Sequence, residues 1–250
     1  MKARTALVTG GAKRIGRAIC LHLAAQGYRI LIHYRHSDTH AAATRLDCLA
    51  AGATMAQTIA CDLSDTSARS ALIDRAVGVF GEVDLLVNSA SMFEYDTAST
   101  FTPKCFDDHL QTNLIAPVQL TMDLHRRGRR AHVITLLDQK LLNLNTDYMS
   151  YTLTKLASHS TIRYLAQCCA PLLRVNAIAP GVSMVSGSMT EGEFEVAQKI
   201  AALGNSSTPD DIAAAVLMLD GSRAVTGQTL VVDGGQHLLP RSRDVAFAEM

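Results

Sequence analysis

The sequence has no excess of either charge, no long apolar run and no paired cysteine motif. Its 23 Lys and Arg residues balance 23 Asp and Glu residues, so charge gives no reason to expect binding to nucleic acid or to a membrane surface. No uncharged apolar stretch approaches the roughly 18 residues of a membrane-spanning helix, and no charged-then-apolar leader precedes the glycine turn that begins at residue 10. We therefore expect a cytosolic protein.

Six cysteines are scattered along the chain, and no two of them form a Cys-x-x-Cys pair. This pattern suits reduced thiols better than disulfide bonds or a zinc site, so we expect no metal. A chain of 250 residues that is 48% hydrophobic can bury a large core. We expect a single domain over residues 1–250.

Short β-prone apolar runs alternate with helical patterns along the whole chain. The runs predict strands near residues 3–9, 29–34, 54–60, 84–88, 131–136, 173–178 and 229–232. The helical patterns lie near residues 14–26, 39–50, 65–79, 103–127, 148–170 and 208–219. Connections of this length favour right-handed crossovers. The expected fold is therefore α/β, with a Rossmann-like, doubly wound parallel sheet of seven strands in the order 3-2-1-4-5-6-7 and helices on both faces.

A glycine-rich turn follows the first predicted strand. Gly10 and Gly11 allow a tight turn, and Gly16 allows the next helix to pack closely on the sheet. The N-terminus of that helix directs unpaired N–H groups at a pyrophosphate. A glycine turn alone could be an ordinary loop, but the strand before it and the helix after it favour a dinucleotide site. The turn residues that we expect to bind the cofactor are Gly10, Lys13, Arg14, Ile15 and Gly16.

The end of the second predicted strand favours NADPH over NADH. An NAD site places a carboxylate there to accept from the ribose 2′-hydroxyl. In this chain the corner consists of Tyr34, Arg35, His36 and Ser37. Arg35 and Ser37, with the cations of the glycine turn, would bind a 2′-phosphate. Solvated loop cations are the alternative, and Asp38 lies near enough to keep NAD use open. We expect His33 to contact phosphate or solvent rather than a metal.

Ligands of such a sheet lie beyond the carboxyl ends of its strands, so the residues after each strand are candidates for contact. These candidates are Asp62 and Leu63 after the third strand, Asn88, Ser89 and Ala90 after the fourth, Asp138 after the fifth, and Pro180, Gly181, Val182 and Ser183 after the sixth. Asp62 is either an adenine contact or the N-cap of a turn. The rigid turn at 180–183 can bring backbone against a nicotinamide.

Tyr151 and Lys155 are four residues apart and share one face of the predicted helix 148–170. The Lys155 ammonium can there stabilise the ionised form of the Tyr151 phenol, which makes the tyrosine a usable acid near neutral pH. The same spacing occurs in ordinary amphipathic helices, so its meaning depends on the dinucleotide site around it. Thirteen positions before Tyr151, where reductases with this motif usually keep a serine, the chain has Asp138.

The motifs along the chain are Thr9-Gly10 to Gly16, Asp62, Asn88-Ser89-Ala90, Asn113, Tyr151 with Lys155, Pro180-Gly181 and Val232-Asp233-Gly234-Gly235. In this order and spacing the chain resembles the short-chain dehydrogenases/reductases over nearly its whole length. Within that family it is similar to pteridine reductases and bacterial dihydromonapterin reductases, in which arginine replaces the middle glycine of the nucleotide motif, as at Arg14, and aspartate replaces the catalytic serine, as at Asp138. It departs from the family at Ser89, more often an asparagine, and in the unfamiliar loop Met184–Asn205.

The resemblance implies an NADPH-dependent reduction of a dihydropterin to a tetrahydropterin, with dihydromonapterin, dihydrobiopterin and dihydrofolate as candidate substrates. It assigns catalysis to Asp138, Tyr151, Lys155 and Asn113, the last by shaping helix 103–127 and anchoring a proton-relay water. It assigns the substrate pocket to Arg14, Ser91, Phe93, Asp138 and Tyr151, with Phe93 stacked on the pterin. It also adds Tyr151 and Lys155 to the cofactor contacts and implies a homotetramer assembled through helices 103–127 and 148–170.

A pterin substrate would give Asp138 a chemical reason to be where it is. A ketone reductase needs a neutral hydroxyl that donates to one carbonyl oxygen, whereas a pterin presents a ring C=N together with amino and ring N–H donors. A carboxyl group can accept from those donors or, when protonated, relay a proton toward Tyr151. The alternative is an aspartate that only caps the loop after the fifth strand.

Other readings stay open at this point. A carbonyl or 3-oxoacyl-thioester reductase is one alternative, against which the missing serine counts. A non-catalytic NADP-binding regulator is another, against which the intact Tyr151 and Lys155 pair counts. Residues 183–205 are expected to form a lid over the substrate, with an ordinary loop as the alternative.

Overall fold

Seven apolar runs of the chain form one all-parallel sheet with the strand order β3-β2-β1-β4-β5-β6-β7. The computed structural model describes residues 3–186 and 189–247. The strands are β1 Thr5–Thr9, β2 Arg29–Tyr34, β3 Met55–Ala60, β4 Leu85–Asn88, β5 Ala131–Leu136, β6 Leu173–Pro180 and β7 Thr229–Val232. Each predicted strand is confirmed to within two residues at either end, as are the strand order and the Rossmann-like fold.

Helices connect the strands and cover both faces of the sheet. They are α1 Arg14–Ala25, α2 Asp38–Ala50, α3 Thr66–Ser70, α4 Leu72–Phe80, α5 Pro103–Leu110, α6 Ala116–Arg126, α7 Met149–Cys169, α8 Glu191–Lys199 and α9 Pro209–Gly221. Four predicted helices are confirmed as α1, α2, α7 and α9. No described helix combines the length and the apolar composition that crossing a membrane requires.

Three predicted segments differ from the structure. The predicted helix 65–79 is two helices, α3 and α4, and the predicted helix 103–127 is interrupted by a π-helical turn at Gln111–Ile115. Helix α8 lies inside the segment 184–205, which the sequence predicts to be a loop; a capping box between Thr190 and Glu193 begins it. Residues 187 and 188 of the expected lid lie outside the described residues.

The inner strands of the sheet, β2, β1, β4, β5 and β6, are buried on both faces because they are apolar on both sides, as parallel strands between helix layers usually are. Successive residues of β1 point into two different clusters. Ala6 and Val8 pack in the layer that contains α1 and α9, and Leu7 packs in the layer that contains α4, α6 and α7. All three side chains are 0% exposed. This packing holds the carboxyl ends of the strands, and the loops that follow them, on a rigid base.

Candidate active site

A cleft of about 510 Å³ opens at the carboxyl edge of the sheet. The predicted site residues that line it are Gly10, Lys13, Arg14, Ile15, Gly16, Arg35, Asp62, Leu63, Ser89, Ala90, Ser91, Phe93, Asp138, Tyr151, Lys155, Pro180, Gly181, Val182 and Ser183. Among the described residues, the predicted contacts that do not line it are Tyr34, His36, Ser37, Asn88 and Asn113. The fold therefore brings most of the predicted site into one cleft.

A buried histidine supports the glycine turn. Gly10 has a left-handed φ of +65°, and a Cβ atom on Gly16 would lie 2.3 Å from the Gly10 carbonyl oxygen. The Gly10 N–H donates to Nδ1 of His33 over 3.1 Å, and Nε2 of His33 lies 3.0 Å from the Cys61 carbonyl oxygen. Burial lowers the pKa of His33 to about 4, so the ring is neutral, with Nδ1 accepting and Nε2 donating. The expected contact of His33 with solvent is wrong, since the side chain is 2% exposed. His33 also lines the cleft, and its contact with a phosphate stays a prediction.

The glycine-turn end of the cleft is cationic. Lys13, Arg14 and Arg35 all line it, whereas Asp38 begins α2 and is absent from the described residues of the lining. Arg14 has a left-handed φ of 56°, and its Nη1 donates to the Val185 carbonyl oxygen over 2.6 Å. The arginine thus contacts the loop after β6. This set of cations beside a helix N-terminus suits phosphate groups.

Two turns complete this part of the cleft wall. The Oδ1 atom of Asp62 accepts from the N–H and the hydroxyl of Ser64, over 2.9 and 2.7 Å. The carboxylate therefore does cap a turn, as one of the two sequence interpretations has it. At the turn after β6, a Cβ atom on Gly181 would lie 2.2 Å from Ser206 Oγ and 2.7 Å from Gln236 Oε1. A larger residue at this position would force these side chains to move.

Asp138 and Tyr151 are joined by a hydrogen bond in the cleft. The Tyr151 hydroxyl donates to Asp138 Oδ2 over 2.7 Å, and the Lys140 N–H donates to Asp138 Oδ1 over 2.8 Å. The carboxyl group thus caps the 3₁₀ turn Gln139–Leu142 and binds the tyrosine at the same time. Burial raises the pKa of Asp138, although both hydrogen bonds act in the opposite direction. Burial and the charge of Asp138 raise the pKa of Tyr151 well above its ordinary value.

Lys155 lies beneath the tyrosine. Its Nζ donates to the Leu136 carbonyl oxygen over 2.8 Å and is 5.4 Å from the centroid of the Tyr151 ring. Burial lowers the pKa of Lys155 to about 8, and the charge of Asp138 offsets part of that effect. Burial and Asp138 raise the pKa of the Tyr151 phenol, and the stabilisation of its ionised form by Lys155 stays a prediction.

Asn113 connects the segment after β4 to α7. Its Oδ1 accepts from the Met92 N–H over 2.8 Å, and its Nδ2 donates to the Met92 carbonyl oxygen over 2.9 Å and to Thr154 Oγ1 over 3.2 Å. The Asn113 carbonyl oxygen accepts from the Ser158 hydroxyl over 2.8 Å. Asn113 therefore lies behind the cleft wall and holds it. Its predicted part in anchoring a water stays a prediction.

One face of the Phe93 ring packs against another aromatic ring of the protein. It stacks on Tyr148, with ring centroids 4.2 Å apart and an interplanar angle of 18°, and it meets the Tyr151 ring edge-on at 4.7 Å. Tyr148 has a left-handed φ of 56° at the N-terminus of α7, an uncommon conformation for a residue other than glycine. A flat ligand that stacks on Phe93 must therefore use the opposite face of the ring.

The sequence pattern did not predict two features of the site. Asp96 is buried and accepts from the N–H of Ser150 over 2.9 Å and from the Ser150 hydroxyl. This contact fixes the first turn of α7 next to Tyr151. The C-terminal residues Asp244, Val245 and Ala246 also line the cleft. Neither contact follows a local spacing rule, since the partners lie far apart in the chain.

Comparison with known proteins gives three kinds of similarity. Residues 10–237 match the family model described as Enoyl-(Acyl carrier protein) reductase. The structure is similar to FolM alternative dihydrofolate reductase 1 from Brucella canis, complexed with NADP, with a TM-score of 0.86, 33% identity and coverage of 94% of either chain. Its counterpart from Brucella suis, also in complex with NADP, gives a TM-score of 0.86 and 33% identity, covering 94% of this chain and 95% of that one. The sequence is 29% identical over 243 residues to 3-oxoacyl-[acyl-carrier-protein] reductase FabG of Staphylococcus aureus, covering 94% of this chain and 98% of that enzyme.

Proposed function

The chain belongs to the short-chain dehydrogenase/reductase family, and we propose that it is an NADPH-dependent reductase that converts a dihydropterin to a tetrahydropterin. The observation that carries this proposal is the hydrogen bond of 2.7 Å from Tyr151 to Asp138. It puts a carboxyl group beside the tyrosine where a ketone reductase of the family keeps a serine hydroxyl. The similarity to FolM alternative dihydrofolate reductase 1 supports the proposal, since dihydrofolate contains a dihydropterin ring.

The residues of the cleft fit NADPH. The glycine turn lies at the N-terminus of α1, where backbone N–H groups favour a pyrophosphate. Lys13, Arg14 and Arg35 line the same end of the cleft, and their charges suit the 2′-phosphate that distinguishes NADPH from NADH. When bound, the cofactor supplies the hydride for reduction.

Reduction of a ring C=N bond adds a hydride to carbon and a proton to nitrogen. Tyr151 keeps its proton at physiological pH, as an ordinary phenol does, and burial and Asp138 raise its pKa further. It therefore has a proton to donate to the ring nitrogen. When Asp138 is protonated, a form that burial favours by raising its pKa, it can return a proton to the Tyr151 phenolate through the contact that joins the two groups. The carboxyl group also offers acceptors for the amino and ring N–H groups of the substrate. The face of Phe93 opposite Tyr148 would be the surface on which the flat ring stacks.

An assay with purified protein separates the candidate functions. The protein is incubated with NADPH and a dihydropterin, a 3-oxoacyl thioester or no substrate, and the oxidation of NADPH is followed. We expect oxidation with the dihydropterin. Oxidation with the thioester alone would establish the second candidate, which the similarity to the Staphylococcus aureus enzyme favours. Tight NADPH binding without turnover of either compound would indicate a regulator.

The substitution Asp138→Ser tests the residue that carries the proposal. We expect it to lower kcat for the dihydropterin by about 100-fold or more, the usual size of a general acid–base contribution, because serine cannot hold and pass the carboxyl proton. Asp65→Ser is the matched control, since Asp65 also caps a short helix but is not among the described residues of the cleft lining. Equal pterin rates in Asp138→Ser and the wild type would make Asp138 a loop cap only.

A further inference from the structure

The last described stretch of the chain, residues 240–247, lies against the site and is here named the C-terminal wall. Asp244, Val245 and Ala246 line the same cleft as Asp138 and Tyr151. Phe247 continues the aromatic cluster behind Phe93, since its ring is 6.1 Å from Tyr148 and 5.2 Å from Tyr95, measured between centroids. The wall therefore borders the part of the cleft where the substrate ring would stack.

Ionic contacts with buried side chains of the protein hold the wall in place. Lys140 Nζ lies 2.7 Å from Asp244 Oδ2, and the Lys140 side chain is only 3% exposed. Asp147 is 2% exposed and lies 2.9 Å from Arg243 Nε. Its Oδ2 also accepts from the Asp244 N–H over 2.8 Å. Removing one partner of the Lys140–Asp244 pair is strongly unfavourable because that pair is largely buried, so it resists displacement of the wall. The Arg243 side chain is 53% exposed, so its pair with Asp147 contributes less.

The same contacts join the wall to the reacting groups. Lys140, which binds Asp244 by its side chain, also donates its backbone N–H to Asp138. Lys140 and Arg243 are each already paired with a carboxylate of the protein. The wall residues that line the cleft, Asp244, Val245 and Ala246, thus offer a substrate a fixed surface that includes the apolar side chain of Val245.

We propose that the C-terminal wall is the side of the substrate subsite that determines specificity. Val245 and Asp244 there limit the size of the substituent that a dihydropterin can carry, and this inference rests on the proposed function. A ring stacked on Phe93 and bound to Tyr151 and Asp138 is held on two sides, and its substituent faces the wall. The Lys140–Asp244 ion pair then acts as the positioning contact that sets the distance of the wall from the ring.

Two substitutions change the wall in opposite directions. Val245→Phe narrows the subsite and leaves both ion pairs intact. We expect it to lower kcat/KM for dihydrobiopterin about tenfold or more relative to a dihydropterin that carries a single methyl group, which is the scale of discrimination an apolar pocket gives. Asp244→Ala releases the wall and should shift the same ratio toward dihydrobiopterin. Val79→Phe, at an exposed valine of α4, and Asp108→Ala, which breaks a surface pair with Lys104, are the controls and should leave the ratio unchanged.

A second readout does not depend on pterin turnover. NADPH is bound to each variant, and the quenching of its fluorescence by acrylamide is measured. Asp244→Ala should increase the quenching if the wall shields the cleft, whereas Val245→Phe should not. If Asp244→Ala fails to fold because Lys140 loses its partner, the kinetics of Val245→Phe decide alone.

The outcomes separate this inference from the function on which it rests. Wild-type protein that reduces no dihydropterin defeats the proposed function, and increased quenching in Asp244→Ala would still show that the wall covers the cleft. Wild-type protein that reduces dihydropterins, with the same substrate ratio in Val245→Phe, overturns the wall as a specificity element.

Discussion

Asp138 and Lys155 are two buried groups of opposite charge on either side of Tyr151, and their pKa values move in opposite directions. Burial raises the pKa of Asp138 and lowers that of Lys155 to about 8. Each shift favours the neutral form, because a charge in a low-dielectric site is costly. Such opposed shifts within one cleft are typical of sites that transfer protons.

The pKa of Lys155 predicts a pH dependence of the reduction. Above about pH 8 the ammonium loses its proton, and with it the positive charge near the bound substrate and the cofactor. We expect kcat/KM to fall as the pH rises through this value. In Lys155→Arg, whose guanidinium stays charged, the fall should disappear even if the activity is lower at every pH. A wild-type profile that stays flat well above pH 8 would contradict this role.

The contribution of Lys155 to folding stability changes with pH in the direction opposite to its effect on kcat/KM, so the two effects can be separated. Its pKa is lower in the folded protein than the ordinary 10.5 of the unfolded chain, so between these values the unfolded state binds more protons. Folding stability from this group therefore rises as the pH increases from about 8 to 10.5. Loss of activity in that range cannot come from destabilisation by Lys155, and circular dichroism at each pH checks that the protein remains folded.

At the scale of elements, the π-helical turn Gln111–Ile115 aims one side chain at the cleft wall. A turn with an added residue changes the direction of the side chains around it, and here Asn113 reaches both backbone groups of Met92. We expect Asn113→Ala to lower the free energy of unfolding by about 1–3 kcal/mol, the cost of leaving such groups without partners. It should also lower kcat, because the segment that carries Phe93 loses its anchor.

The variant Asn113→Asp is the matched comparison. An aspartate keeps the acceptor for the Met92 N–H and loses the donor to the Met92 carbonyl oxygen, and it puts a charge in a buried position. Denaturant unfolding and steady-state kinetics of both variants test the prediction. A loss of stability with an unchanged kcat would limit Asn113 to a structural role.

These elements also show how far the sequence could predict the structure. The apolar strands and the alternation with helices follow from local patterns, so the sheet order and the glycine turn could be predicted. The π turn could not, because the pattern of 103–127 remains helical throughout. The side chain in that turn with the most evident role, Asn113, contacts Met92, which is 21 residues away. The C-terminal wall depends on Lys140 and Asp244, which are 104 residues apart. By contrast, the Thr190 and Glu193 spacing of a capping box could have identified α8.

At the scale of the whole molecule, different polar clusters lie at the two edges of the sheet that the strand ends form, the carboxyl edge and the amino edge. The carboxyl edge carries the cleft. At the amino edge, the buried carboxylate of Asp220, in α9, accepts from Arg4 over 2.5 Å and from the Tyr28 hydroxyl over 2.5 Å, and its Oδ1 lies 3.0 Å from His132 Nδ1. These partners stand before or at the start of β1, β2 and β5, so one side chain ties the last helix to three strands. Burial alone would raise the pKa of Asp220, but the hydrogen bonds outweigh it and hold the pKa well below its usual range.

Asp220→Asn should therefore destabilise the fold without acting on the cleft. We expect the free energy of unfolding near neutral pH to fall by about 3 kcal/mol, at the low end for breaking a buried ion pair, because Arg4 is itself 43% exposed. The contribution of Asp220 is fully present above the ordinary pKa of 3.8 and is lost as the pH falls through the lower folded-state value, so the difference between variant and wild type should shrink in acid.

Asp210→Asn in the same helix is the control. Its pair with His22 is on the surface, so the substitution should change stability by less than about 1 kcal/mol. Denaturant unfolding of the three proteins at neutral and acidic pH measures both effects, and equal stabilities of Asp220→Asn and Asp210→Asn near neutral pH would show that the amino-edge cluster does not stabilise the sheet.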